Sequence, residues 1–187
     1  MKGLFMKQDT VYLLLADGFE ETEALCPLDI LRRGGVNVQT VGITGAFVTG
    51  AHGICVKADA MPDEVGEFSM LIFPGGLPGA TNLDASDAVD ALIKKAVASK
   101  ARMAAICAAP LILGKRGLLE GKNATCYPGF EQYLKGACVQ KERVVTDGLY
   151  TTAVGMGASA EFGFALLAQL KGEEAVSQIK EAAHFAL

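Results

Sequence analysis

Cys107 stands between Met103-Ala104-Ala105-Ile106, an apolar run with the length of a buried strand, and Ala108-Ala109-Pro110, two small residues and a proline suited to a helix's first turn. That order predicts a thiol projecting from a sharp strand-to-helix turn. Free backbone N–H groups and the helix dipole there favour thiolate over thiol, so the expected cysteine is nucleophilic, readily oxidised and ionised below the ordinary thiol pKa. The competing reading is an inert core cysteine, since free cysteine is among the most buried residue types. The strand-end location favours the reactive one. Gly75 and Gly76 close a second apolar run, Ser69 to Pro74, and residues without a Cβ let main-chain N–H groups approach a ligand closely enough to stabilise an oxyanion. An ordinary tight turn accounts for the same pattern. Glu23 lies in a predicted helix, Glu20 to Arg33, four residues before Pro27, whose ring and missing N–H predict a distortion at that carboxylate. On local pattern alone Glu20, Glu21 and Glu23 read as solvated acids at a helix start.

These residues need elements to position them. Val11 to Ala16 is a short apolar run ended by Asp17-Gly18, the pattern of a strand covered on both faces. The helix after it carries acids first and arginines last and stops at Gly34-Gly35. Further strands are predicted over Val36 to Ile43, Gly53 to Ala58, Ser69 to Phe73, Arg102 to Ile106 and Asn123 to Tyr127. Val144-Val145 and Tyr150 to Val154 form a predicted hairpin around Asp147-Gly148. Helices are predicted over Ser86 to Ser99, Ala108 to Arg116, Ala158 to Leu170 and Glu173 to Ala183. Strand and helix alternate almost throughout, which implies an α/β fold with a mostly parallel central sheet and helices on both faces. Ligands bind such sheets at the strands' carboxyl ends, the edge that holds Asp17-Gly18, Gly75-Gly76, Cys107, Tyr127 and Gly155.

The 187 residues fit one domain, with residues 1–9 read as a flexible extension. A formal charge of −4 with scattered lysines and arginines lacks the basic footprint of a nucleic-acid binder. No apolar run approaches the ~20 residues that cross a bilayer, and residues 1–9 hold too short an apolar stretch for a secretory signal, so a cytoplasmic protein is expected. Five cysteines, odd in number, widely spaced and without a C-x-x-C pair, fit a reducing compartment better than a disulfide framework. With only His52 and His184 available, no metal site is expected. No phosphate-binding glycine motif occurs.

Leu15 to Glu23 (LADGFEETE), Phe73 to Gly76 (FPGG) and Ala104 to Pro110 (AAICAAP), in this order and spacing, resemble the ThiJ/PfpI superfamily, nearest the deglycase branch that holds the Parkinson-disease-associated redox protein. The likeness runs on through Arg32-Arg33-Gly34-Gly35 and Gly155-x-Gly157-x-Ser159-x-Glu161-Phe162. It implies a flavodoxin-like three-layer sandwich, a homodimer with the first helix near the shared surface, and no cofactor or metal. It also implies Cys107 as nucleophile, Glu23 as the acid hydrogen-bonded to its sulfur, and the N–H groups of Gly75, Gly76 and Ala108 as the oxyanion-binding backbone. Two departures stand out. Thr125-Cys126-Tyr127-Pro128 puts Tyr127, with Cys126 beside it, where some relatives carry a histidine, and a phenol is a poor general base near neutral pH. His52 takes the place of an arginine that relatives use around the site, although an exposed loop histidine is the plainer reading. Neither histidine adjoins Cys107 in sequence, which argues against peptidase or amidotransferase chemistry. The resemblance therefore implies action on small reactive dicarbonyls such as methylglyoxal, or on glycated protein adducts. The alternatives are a redox sensor or protective protein working through a Cys107 sulfinate, and a non-catalytic binding domain.

Overall fold

The computed structural model describes residues 10–185. The proposed extension over residues 1–9 lies outside the described residues. Strand β1 (Val11–Leu15) is followed by helix α1 (Glu21–Arg33), β2 (Val38–Gly42) and a hairpin of β3 (Phe47–Thr49) with β4 (Cys55–Lys57). Next come β5 (Met70–Phe73), α2 (Gly79–Asp84), α3 (Asp87–Ser99), β6 (Arg102–Ile106) and α4 (Pro110–Lys115). After them run β7 (Asn123–Ala124), β8 (Cys138–Val139), β9 (Val144–Asp147), β10 (Tyr150–Ala153), α5 (Ser159–Lys171) and α6 (Glu173–Ala182). The main sheet has the order β2-β1-β5-β6-β10-β9, parallel except for the β9–β10 pair. Its parallel part is the doubly wound arrangement whose order reverses between β1 and β5, the kind of sheet that binds ligands at the strands' carboxyl ends.

The apolar runs form strands here because both faces are covered. On β1, Val11, Leu13 and Leu15 enter the core layer that also holds Leu28, Leu31, Phe162 and Leu166. Tyr12, Leu14 and Ala16 enter the opposite layer with Leu83, Leu92, Ile93 and Ile112. The same alternation holds on β5 and β6, with Met70, Ile72, Ala104 and Ile106 in the first layer and Leu71, Phe73, Met103 and Ala105 in the second. Helix α1 starts where the Glu20 carboxylate accepts the Glu23 N–H at 2.7 Å, and it ends at Gly34 and Gly35, the latter in the left-handed region at φ 70°. Pro27 does not break it. The helix runs unbroken from Glu21 to Arg33 with Pro27 inside it, and Pro27 is buried against α5, where a Cβ on Gly163 would come within 3.0 Å of the Pro27 Cα.

Several elements differ from expectation, including strands β3 and β8, which the sequence pattern does not signal. The strand predicted over residues 53–58 is only Cys55–Lys57, and it pairs in its own hairpin apart from the main sheet. The strand predicted from Asn123 to Tyr127 ends at Ala124. Beyond it the Thr125 N–H donates to Thr152 Oγ1 at 2.8 Å and the Tyr127 N–H to the Cys107 carbonyl at 2.8 Å, so the chain crosses the sheet's carboxyl edge instead of extending it. The short helix α2, packed over Ala80 and Leu83, is an element that the sequence pattern does not signal. Among the described residues no helix is long and apolar enough to cross a membrane.

Candidate active site

Cys107 directly follows β6, and strand alternation would send its side chain into the layer of Met103 and Ala105. Its backbone instead sits at φ 64°, in the left-handed region that a residue with a Cβ seldom adopts, and its side chain packs beside the layer of Ile106. Strand β10 and the segment that follows β7 lock that turn. The Cys107 N–H donates to the Ala153 carbonyl at 2.9 Å and its carbonyl accepts the Tyr127 N–H. The thiol is half-buried. Backbone N–H groups of Ala108 and Gly76 donate to the sulfur.

Glu23 comes to the same point from α1. It is 1% exposed, far from the solvated acid that its local pattern suggested. Its Oε2 accepts the Gly75 N–H at 3.0 Å, the Met156 N–H supplies a second backbone bond, and the carboxyl is hydrogen-bonded to the Cys107 thiol. Gly75 therefore acts differently from expectation, because its N–H holds the acid and not an oxyanion. The packing leaves no alternative there: a Cβ on Gly75 would lie 2.4 Å from Glu23 Oε2 and 2.6 Å from Cys107 Cβ. Gly76, at φ 85°, is confined by the Glu20 N 2.3 Å from where its Cβ would be, and this leaves its own N–H aimed at the sulfur.

The electrostatics overturn one expectation. Burial pushes the Cys107 thiol up, and the charge and hydrogen bond of Glu23 push it further, to about 12, against the opposing pull of the Ala108 and Gly76 N–H groups. A thiol depressed below its ordinary value by the helix end is thus not what this turn produces. Desolvation and a carboxylate in contact outweigh two amide donors and the dipole of a helix only six residues long. Burial likewise raises Glu23 to about 7, the nearby Glu20 charge adding to it. In contact and with both raised, the two groups titrate as a coupled pair that holds one proton between them above about pH 7. When that proton sits on Glu23, the charge opposing the thiolate is gone and the carboxyl O–H can donate to sulfur.

The remaining predicted neighbours divide. Tyr127 is half-exposed, and its Cδ2 lies 3.3 Å from where a Cβ of Gly155 would stand, itself 3.9 Å from both Cys107 Sγ and Glu23 Oε1. Its ring meets Phe130 edge-on at 6.4 Å. Cys126 is buried in the opposite core layer, where desolvation raises its pKa to about 11, and it does not join Cys107. The strand-crossing path of Thr125 to Tyr127 sends these adjacent side chains to different sides. His52 is exposed, in line with the plainer reading, but its Nδ1 lies 2.8 Å from Glu21 Oε2. Glu21, 5% exposed, also accepts the His52 N–H at 2.7 Å and the Ile54 N–H at 3.4 Å, so it fastens the β3–β4 hairpin to the start of α1. Glu20, Glu21 and His52 bring ligand-capable atoms within 4.8 Å of one another, yet the Glu21 carboxylate is already engaged by these donors and the Glu20 carboxylate caps α1. The trio is an ion-pair and capping network. Sequence reasoning missed the Met156 N–H as a holder of Glu23. The signal for it was the glycine pair Gly155 and Gly157 at a strand's carboxyl end.

A half-buried thiol on a strained strand-to-helix turn, a buried carboxyl against it and converging backbone N–H groups make this a thiol–acid site at the sheet's carboxyl edge in a flavodoxin-like α/β protein. The profile of the DJ-1/PfpI family matches residues 9–169, and the chain belongs to that family. It is similar to Protein DJ-1 homolog A of Arabidopsis thaliana, 38% identical over 91% of this chain and 45% of the relative. The chain thus spans less than half the length of that protein. A protein named deglycase from Pyrococcus abyssi is 34% identical over 76% of this chain and 88% of its own. Among solved structures, oxidized DJ-1 of Toxoplasma gondii superposes with a TM-score of 0.91 at 32% identity, over 96% of this chain and all of that one.

Proposed function

We propose that the protein is a cysteine-dependent, cofactor-free enzyme that converts reactive dicarbonyls, or their early adducts on proteins, to hydroxy acids. The observation that carries this reading is the buried Glu23 carboxyl against the Cys107 sulfur, raised by burial to about 7. A general acid–base catalyst works best when its pKa lies near the operating pH. In the proposed cycle the thiol proton passes to Glu23 as sulfur attacks the aldehyde carbon of methylglyoxal, and Glu23 returns it to the new alkoxide, giving a hemithioacetal. Glu23 then takes the proton from the former aldehyde carbon and delivers it to the neighbouring one through an enediol, while the hemithioacetal hydroxyl proton passes to the neighbouring oxygen, leaving a thioester carbonyl and a hydroxyl. The resulting thioester is cleaved by water to lactate and free thiol, so the sum is methylglyoxal plus water to lactate. The name of the Pyrococcus relative agrees with a glycated substrate.

Lactate should form from methylglyoxal without glutathione by protein whose Cys107 is reduced. Its absence under those conditions removes this reading.

A second reading rests on the turn itself. Cys107 is accessible, and Gly155 leaves space beside it where a side chain would come within 3.9 Å of the sulfur. Peroxide would oxidise the thiolate to sulfenate and a second peroxide would carry it to sulfinate, each losing water, with Glu23 and the Gly76 and Ala108 N–H groups holding the oxygens. The oxidized form of the similar Toxoplasma protein agrees with this chemistry. After mild peroxide, mass mapping should find two added oxygens on Cys107 ahead of the exposed Cys55 and Cys138. Equal modification of all five cysteines would remove the sensor reading. We further propose a cytoplasmic homodimer joined through α1. Its support is the family resemblance and a groove lined by Cys26, Ile30 and Arg33 of α1 with Ile179 and Ala182 of α6. Light scattering that returns a monomer mass would contradict the dimer.

A further inference from the structure

The three loops that hold the thiol–acid pair each carry a large apolar side chain left open to solvent: Leu77 at 53% exposure, Tyr127 at 50% and Met156 at 55%. Such residues are uncommon on this surface. Among the described residues Phe47 and Ile54 are the other large hydrophobic side chains at least half open, and neither adjoins a residue that holds the thiol or its acid by a backbone N–H. Their backbone positions tie all three to the reacting atoms. Leu77 follows Gly76, whose N–H meets the sulfur. The N–H of Met156 itself bonds Glu23. Tyr127 borders the open space over Gly155, 3.9 Å from the sulfur, and its backbone N–H is anchored on the Cys107 carbonyl. Consecutive Cα atoms are about 3.8 Å apart, so each side chain starts within a residue or two of the chemistry.

We infer that Leu77, Tyr127 and Met156 form an apolar collar that selects carbonyl substrates bearing an aromatic or similarly bulky apolar substituent over those bearing a methyl group. This inference rests on the dicarbonyl reading and names its substrate class. The carbonyl end needs only the sulfur, Glu23 and backbone donors, which treat all α-oxoaldehydes alike. The substituent must lie against whatever surrounds the thiol. With no Cβ at Gly155, the space beside the sulfur is bounded by the Tyr127 ring, and Phe130 meets that ring edge-on. An aromatic group seated there would remove apolar surface from water on both partners, which a methyl group does to a much smaller extent. Phenylglyoxal plus water would give mandelate by the same proton transfers that give lactate from methylglyoxal, with no added oxidant or reductant.

The test compares kcat/KM for phenylglyoxal and methylglyoxal in the wild type and in the Tyr127→Phe, Tyr127→Ser and Met156→Ser variants. The preference for phenylglyoxal should fall about tenfold in Tyr127→Ser, fall in the same direction in Met156→Ser, and survive in Tyr127→Phe, which keeps the ring and loses only the hydroxyl. A second arm does not depend on turnover. Alkylation of Cys107 by N-benzyliodoacetamide and by iodoacetamide, each normalised to glutathione, should favour the benzyl reagent in the wild type and lose that preference in Tyr127→Ser. A ratio that is the same in the wild type and Tyr127→Ser in this arm overturns the collar. Absence of turnover of either dicarbonyl with a retained alkylation preference overturns the enzymatic reading and leaves the collar standing.

Discussion

Lactate formation from methylglyoxal is expected to fall by at least ~10³-fold in a Cys107→Ser variant whose fold and stability match the wild type. Two physical causes combine. A hydroxyl holds its proton far more tightly than a thiol, so Glu23, near 7, can accept it only at a large cost. A serine oxygen is also smaller and less polarisable, and it would sit poorly where the Gly76 and Ala108 N–H groups meet sulfur. The same substitution should abolish the preferred peroxide oxidation while leaving the exposed Cys55 and Cys138 to react as before. Retained activity, measured as lactate per active site, would show that another group performs the chemistry.

Glu23→Gln is expected to lower kcat about 10²- to 10⁴-fold, the range that positioned acid–base catalysis supplies, and to remove the acid limb of the pH profile near 7. It should also change how stability depends on pH, and here the sign is opposite to that of a salt-bridged carboxylate. Burial raises Glu23 from 4.5 to about 7, so the folded protein holds a proton that the unfolded chain releases. Stability then declines as pH rises from about 4.5 to about 7, because the unfolded chain gives up this proton over that range while the folded protein keeps it. A shift of this size corresponds to a decline on the order of 3 kcal/mol. Glutamine has no charge to desolvate. Denaturant unfolding at pH 4.5 and pH 8 should show that the variant lacks most of this decline and is the more stable protein at pH 8. A wild type whose stability rises over that window would contradict a buried, proton-holding Glu23.

Much of the architecture could be read from residue types because the apolar runs on β1, β5 and β6 are continuous, as strands covered on both faces must be. The position of Cys107 at a strand's end followed from Ile106 before it and Pro110 after it. The parts that could not be read are those fixed by distant partners. Asn123 to Tyr127 looks like a strand until Thr152 and Cys107 take its backbone groups. Cys126 and Tyr127 are adjacent in sequence, but the crossing of the sheet edge sends one to the core and the other to the site. The raised thiol pKa depends on burial and on the Glu23 carboxyl, neither of which is present in the local pattern of small residues and a proline. Gly75 stands out in the sequence for its missing Cβ, although what it makes room for is the acid and the cysteine, with its N–H committed to Glu23.

The pairing of acid and thiol is tested most directly by the pH dependence of alkylation at Cys107, followed on its own peptide by mass spectrometry, in the wild type and the Glu23→Gln variant. In the wild type the rate should rise through about pH 7, as the pair drops from two protons to one, level off, and climb again only toward pH 12. The variant should lack the step near 7 and behave as a single thiol titrating at higher pH. Superimposable curves, or a wild type with no inflection near 7, would mean that the two groups do not share a proton.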